Sequence, residues 1–331
     1  MMKIRFSFAA LVIVSALVFF IGCTSDAPKG MTEPTMTVLL YPEGQHVDKG
    51  IVEDGVEVTL GPGVANDVDT TEFFWEADGS LNFVSDGARV EIYLPERRNG
   101  QMIVMCPGGG YGELSKRNEG DYVAQTLTAR GYCVAVVCYR LPTGHDIIPL
   151  RDVQNAFRYC RYHAGEWGVT QIGVMGGSAG GHLASIVSTM YVDSVTRPDF
   201  TVLLYPVISS EEAYRHGGTF RNLTGFDPEL MEYYSSDRRV TSDTPPAALF
   251  HSADDKGVKV ENSIRYFSAL RAAGVRAELY IFPTGGHGWG FTTMETAGRD
   301  RLGKYRPAFF DALYAFLDDM GLSAADTDMK Q

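Results

Sequence analysis

Residues 172–185, "IGVMGGSAGGHLAS", place Ser178 between two pairs of glycines, with a short apolar run before it and a helix-like run after it. Glycine and serine together often make a flexible linker, and composition alone favours that reading. The rest of the chain decides between a linker and a turn that exposes the serine. From residue 100 onward, short β-rich runs alternate with amphipathic ones. "QMIVMC" (101–106), "YCVAVVCYR" (132–140), "QIGVM" (171–175), "FTVLLYPV" (200–207), "AALFHS" (247–252) and "AELYIF" (277–282) read as strands. The second is almost continuously apolar, as a parallel strand buried on both faces should be. Helices are expected over 121–131, 149–167, 179–191, 260–273 and 305–320. In the second of these, Leu150, Val153, Phe157, Cys160, Ala164 and Trp167 recur at steps of three and four. Such alternation predicts an α/β fold, a mostly parallel sheet of about eight strands with helices on both faces. Two further β-rich runs, "GVEVTL" (55–60) and "ARVEIYL" (88–94), are expected as strands at one edge.

The chain has 331 residues, 45% of them hydrophobic, which is enough for a sizeable core and too apolar for disorder. Its start reads as an export signal. Lys3 and Arg5 precede an apolar run over 8–22, short for a membrane span. That run ends in "FIGC" (20–23), which resembles the lipobox of bacterial lipoproteins. The resemblance implies cleavage before Cys23, a lipid on its sulfur, and a protein anchored in the bacterial cell envelope. The expected organisation is a signal peptide (1–22), a polar tether (23–37), one α/β domain (38–322) and a polar tail (323–331). The net charge of −12 becomes two units more negative once Lys3 and Arg5 leave with the signal. That balance disfavours nucleic acid as a partner. Apart from Cys23, the cysteines read as small buried hydrophobes. A Cys106–Cys138 disulfide is permitted by an exported location. No metal-ligand spacing such as C-x-x-C occurs, and neither metal nor cofactor is implied.

Ser178 falls where a parallel strand ends and a helix begins, the place where α/β proteins build their sites. Gly176 and Gly180 flank it at −2 and +2, the spacing of a sharp strand-to-helix turn that lifts a serine hydroxyl clear of the sheet. A hydroxyl is a weak nucleophile and needs a base oriented by an acid. Asp254 and Asp255 stand just past one strand and His287 just past the next. The order Ser, Asp, His is that of the α/β-hydrolase fold. An oxyanion needs backbone donors: Ala179 N–H at a helix start is one, and Gly109 or Gly110 in "CPGGGYG" (106–112) supplies the other. Four pieces at four strand ends exclude the linker.

The chain resembles the α/β-hydrolase esterases of bacterial polysaccharide degradation, the acetyl xylan esterases and feruloyl-esterase-like lipases. The resemblance rests on "LLYPEGQ", "PGGGYGELSKRNEGDYVAQTLTARGYCVAVVCYRLP", "PLRDVQNAFRYCR", "GVMGGSAGGHLAS", "VTSDTPPAALFHSADDKGVKVENS" and "FPTGGHGWG", and it covers roughly residues 38–320. It implies Ser178 as nucleophile, Asp255 rather than Asp254 as acid, since Val258 follows three residues later, and His287 as base. Two departures stand out. Gly177 replaces a phenylalanine usual in the family, which predicts a wider pocket floor, and Lys259 replaces a proline.

The reading is therefore a serine carboxylesterase that deacetylates polysaccharide or oligosaccharide esters through an acyl-enzyme. Its partners are an acylated carbohydrate and, through Cys23, a membrane. Two alternatives remain. One is a peptidase related to prolyl oligopeptidase, although such enzymes usually carry a propeller for which the residues before the oxyanion loop leave little room. The other is a non-catalytic carbohydrate-binding lipoprotein on the same scaffold. Tyr111 and Trp289 are candidate walls of the acyl pocket, with core packing as the alternative. His182 reads as a packed helix histidine, His251 as structural, His145 as part of a loop able to reach the site, and Glu119 as a helix-start carboxylate. The segment 209–246, long for a connection and rich in aromatics, is expected to form a small cap.

Overall fold

The computed structural model describes residues 32–40, 51–53, 56–58, 74–75, 81–82, 88–142 and 144–328. The signal peptide, Cys23 and most of the tether lie outside them. Eight strands form the main sheet: β1 (Met36–Leu39), β2 (Arg89–Tyr93), β3 (Gln101–Cys106), β4 (Cys133–Cys138), β5 (Gln171–Gly177), β6 (Thr201–Leu204), β7 (Ala247–Ser252) and β8 (Ala277–Phe282). Their order is β1-β2-β4-β3-β5-β6-β7-β8. β2 runs antiparallel to both of its neighbours, β1 and β4. From β4 through β8 every pairing is parallel. β3 and β4 are buried along their whole length, as their continuous apolar sequences require.

The helices that connect or follow these strands are α1 (Tyr122–Thr128), α2 (Ile148–His163), α3 (Ser178–Thr189), α4 (Gly217–Thr224), α5 (Pro228–Tyr233), α6 (Glu261–Ala272), α7 (Met294–Ala297) and α8 (Arg306–Asp328). A π-helical turn, Arg117–Asp121, leads into α1. α2 is tied to the end of β4 by a buried ion pair, Arg140 Nη2 to Asp152 Oδ1 at 2.5 Å. Among the described residues, no helix is long and apolar enough to cross a membrane.

Three expectations change. "GVEVTL" is not an edge strand of the main sheet: Val56–Val58 pairs with Ile51–Glu53 in a two-stranded sheet of its own. The edge is taken by Met36–Leu39, which begins inside the stretch read as tether, with Val38 opposite Val90 of β2. Alternation marks a strand without naming its partner, and "MTVL" is short enough to hide beside the prolines. α8 continues to Asp328, so the polar tail extends the helix. That stretch, "SAADTD", contains no proline or glycine to stop it. The described cysteines 106, 133, 138 and 160 are all free and buried, and Cys106 and Cys138 form no disulfide.

Candidate active site

The C-terminal ends of β3, β5, β6, β7 and β8 converge on one edge of the sheet, and each contributes a loop to the site. β5 ends at Gly177 and α3 starts at Ser178, whose φ is +54°, a left-handed backbone that strains any residue with a Cβ. The turn is tight enough to demand its glycines. A Cβ on Gly176 would lie 2.1 Å from Gly180 O, and one on Gly180 would lie 2.0 Å from Cys106 O.

Ser178 Oγ stands 2.8 Å from His287 Nε2. His287 Nδ1 donates to Asp255 Oδ2 at 2.7 Å. Asp255 Oδ1 accepts from the amides of Gly257 and Val258, both at 2.9 Å. Its Oδ2 also faces His251 Nε2 at 3.3 Å. Burial works to raise the pKa of Asp255, but the hydrogen bonds from His251, His287 and Val258 together with the His287 charge hold it well below the usual carboxylate range. Asp254 sits outside this chain and accepts from Gly286 N at 2.8 Å, bracing the loop that carries His287. His251 is buried and does more than fill core, because it orients Asp255 while its Nδ1 contacts Ser263 Oγ at 2.8 Å.

The N–H of Ala179 lies in the first turn of α3, where a helix offers it no partner. Across from it, the loop after β3 closes on itself through Gly112 N and Glu113 N to Gly109 O and Ser115 N to Gly108 O. Those bonds leave the N–H groups of Gly109 and Gly110 outside the loop's own network among the described residues. Asn222 of α4 donates to Gly110 O at 2.9 Å, so the 209–246 segment touches this loop directly. Lys259, at the family's proline position, donates to Ala213 O at 2.7 Å and ties the acid's loop to the same segment.

Tyr111 and Trp289 are both core residues, 2% and 0% exposed. Tyr111 turns its hydroxyl to His182 Nδ1 at 3.0 Å, and Trp289 packs on Tyr205, Phe282 and Phe309. They bear on the site through what they support, without an exposed wall. His145 stands in the turn before α2, where its neighbour Asp146 accepts from Tyr234 Oη at 2.6 Å. Gly177 opens no extra floor: a Cβ there would lie 2.7 Å from Glu119 Cδ. Glu119, read as a helix-start carboxylate, does stand in the first turn of the π-helical segment before α1, and it is also buried under the site. The signal for it was present in the sequence, since Glu119 shares a helical stripe with Val123 and Leu127.

His182 links the oxyanion loop to the 209–246 segment. Its Nε2 donates to Tyr234 O at 2.8 Å, so Nδ1 accepts from Tyr111, and the ring packs edge-on against Phe220. Burial pushes its pKa down to about 4, only partly offset by the Tyr234 carbonyl. The unfolded chain therefore takes up this proton first as pH falls. The stability that the group contributes is complete above its unfolded pKa of about 6.5 and is lost as pH drops toward the folded value. Melting curves from pH 7 to pH 4 are expected to show a decline that is shallower in His182→Gln, and parallel curves would contradict this.

The BD-FAE family model matches residues 90–196, and the prolyl oligopeptidase family model matches residues 148–315. An acetylxylan esterase of Xylanibacter ruminicola is 44% identical over 65% of this chain and 46% of its own. Endo-1,4-beta-xylanase B of Butyrivibrio fibrisolvens is 31% identical over 56% of this chain and 32% of its own. The chain thus spans less than half the length of these two relatives. Among solved structures, an acetyl ester-xyloside bifunctional hydrolase from Caldicellulosiruptor lactoaceticus superposes with a TM-score of 0.66 at 29% identity, over 88% of this chain and 98% of its own.

Proposed function

The chain belongs to the prolyl oligopeptidase family, whose model matches residues 148–315, and we propose that it is a serine carboxylesterase acting on acetyl groups of polysaccharide or oligosaccharide esters. The observation that carries this reading is the continuous hydrogen-bonded chain from Ser178 through His287 to Asp255, at 2.8 and 2.7 Å, beside uncommitted backbone donors. Ser178 Oγ attacks the ester carbonyl while His287 Nε2 takes its proton. Asp255 holds the Nδ1–H tautomer and offsets the imidazolium charge. The N–H of Ala179, with that of Gly109 or Gly110, receives the oxyanion. His287 then returns the proton to the leaving alcohol. A water molecule repeats the sequence on the acyl-serine, releasing acid and restoring the hydroxyl. Nothing in this sequence of steps calls for a metal or cofactor.

An ester substrate, in place of a peptide, is supported by the relatives, which include an acetylxylan esterase and an acetyl ester-xyloside bifunctional hydrolase. The choice of a carbohydrate ester rests on the same two relatives. The lipobox-like "FIGC" (20–23) supports a lipid anchor on Cys23, with the enzyme at a bacterial membrane surface facing polysaccharide fragments outside the cytoplasm.

The test is a substrate panel: acetylated xylo-oligosaccharides, feruloylated oligosaccharides, long-chain triglycerides and a dipeptidyl chromogenic amide, each followed by product release. Acetate release from the acetylated oligosaccharides is expected to exceed every other rate by at least about tenfold in kcat/KM, a difference of about 1.4 kcal/mol in transition-state binding. Fastest cleavage of the amide would replace the esterase reading with a peptidase. Fastest cleavage of triglycerides would withdraw the carbohydrate.

A further inference from the structure

Glu119 is a charged residue buried where the family resemblance offers no role for it. Its side chain rises from the π-helical turn before α1 and ends beneath the nucleophile, with the backbone of Gly108 and Gly177 packed against it. Oε2 accepts the Gly108 N–H at 2.6 Å, at the start of the oxyanion loop. Oε1 accepts the Tyr205 hydroxyl at 2.8 Å, and that hydroxyl in turn accepts from Gly290 N at 2.8 Å. The Tyr205 ring stands edge-on to the His287 ring, with centroids 5.0 Å apart. From the same turn, Asn118 donates to Gly288 O at 3.0 Å. One short turn therefore holds the oxyanion loop with one hand and the loop of the base with the other. π-Helical turns concentrate at functional sites because they re-aim side chains that a regular helix would point elsewhere.

We propose that Glu119 is a positioning residue of the site: its carboxylate fixes the oxyanion loop and, through Tyr205, the loop of the base, and its negative charge favours the imidazolium that His287 becomes when it takes the serine proton. The inference rests on the serine esterase reading. Burial outweighs the Tyr205 and Gly108 hydrogen bonds and the attraction to protonated His287, so the pKa of Glu119 stands above the usual carboxylate value, with those three contacts opposing the rise. A Cβ at Gly177 would lie 2.7 Å from Glu119 Cδ, so the buried glutamate occupies the space that a side chain there would need.

The charged and titratable groups around His287 are few. Asp255 faces Nδ1, with His251 behind it, and Ser178 faces Nε2. The half-buried His216 of the cap feels the His287 charge. Arg301 donates to His287 O, Arg306 donates to Gly290 O, and Asp254 holds Gly286 N. Apart from Glu119, the buried carboxylate in this set is Asp255.

The experiment compares wild type, Glu119→Gln and Tyr205→Phe on p-nitrophenyl acetate from pH 5 to 9, with melting temperatures recorded for each. Glu119→Gln keeps the shape, removes the charge and turns an NH2 toward one of the two donors, the Gly108 N–H or the Tyr205 hydroxyl. It is expected to lower kcat by about tenfold to a hundredfold with KM changed by less than about twofold. The acidic limb of kcat/KM is expected to move to lower pH. Tyr205→Phe keeps the charge and breaks the link, so it lowers kcat by a smaller factor and leaves that limb in place. Glu119→Gln with wild-type kcat and an unmoved limb overturns the proposal. If Glu119→Gln does not fold, wild-type kcat in Tyr205→Phe overturns it. A wild-type enzyme inactive on every ester tested would instead sink the esterase reading, which separates the two failures.

Discussion

Ser178→Ala is expected to lower hydrolysis of p-nitrophenyl acetate by about a millionfold, close to the whole contribution of a serine, histidine and acid acting as a unit. The substitution removes one oxygen and little else. Alanine meets the same left-handed strain at φ +54° that serine already bears, so the turn and the melting temperature are expected to stay close to wild type. What remains is a pocket with backbone donors and a base but no nucleophile, which still binds substrate. KM should therefore change far less than kcat. Retention of more than about one per cent of the wild-type rate would mean that another group attacks the ester.

Asp255→Asn is expected to cost about ten-thousandfold in kcat, and the reason lies in proton placement. The carboxylate only accepts, and it takes hydrogen bonds from Gly257 N, Val258 N and His287 Nδ1 while facing His251 Nε2. An amide in its place must turn its NH2 toward at least one donor. Facing His287, it selects the tautomer whose Nε2 already carries a proton and cannot take one from Ser178. The same change has a stability arm whose sign is set by the lowered pKa. Stability from the charged carboxylate is present above the unfolded value of about 3.9 and is lost as pH falls through and below it. The deficit of Asp255→Asn against wild type, measured by urea unfolding, should accordingly be larger at pH 7 than at pH 3. A deficit independent of pH would place the loss in packing instead of charge.

The parts of this site that sequence made legible are those whose spacing has a local cause. The glycines at 176 and 180 are dictated by a turn that a Cβ cannot enter, and the order of Ser178, Asp255 and His287 follows from successive strand ends of one sheet. "QMIVMC", "AALFHS" and "AELYIF" match their strands residue for residue; the first two are buried throughout, and the last, at the edge of the sheet, is only half-buried along most of its length. Illegible parts depend on what meets what across the fold. Val56–Val58 has the right alternation and pairs elsewhere. Trp289 and Tyr111 flank the right loops, and their rings turn into the core. Glu119 carries a stripe-side signal in its spacing with Val123 and Leu127, but its partners Gly108 and Tyr205 lie 11 and 86 residues away. No window of sequence joins them. His251 is similar: a histidine at a strand end reads as filler until the loop of Asp255 folds back onto it.

The most direct measurement is the mass of the covalent adduct. Wild-type protein is treated with a fluorophosphonate, digested, and its peptides are mapped by mass spectrometry. Adduct is expected on the peptide carrying Ser178 and on no other, with labelling abolished in Ser178→Ala and slowed in Asp255→Asn. A folded wild-type protein that takes no label, or takes it at a different residue, would contradict the claim that Ser178 is the nucleophile of this enzyme.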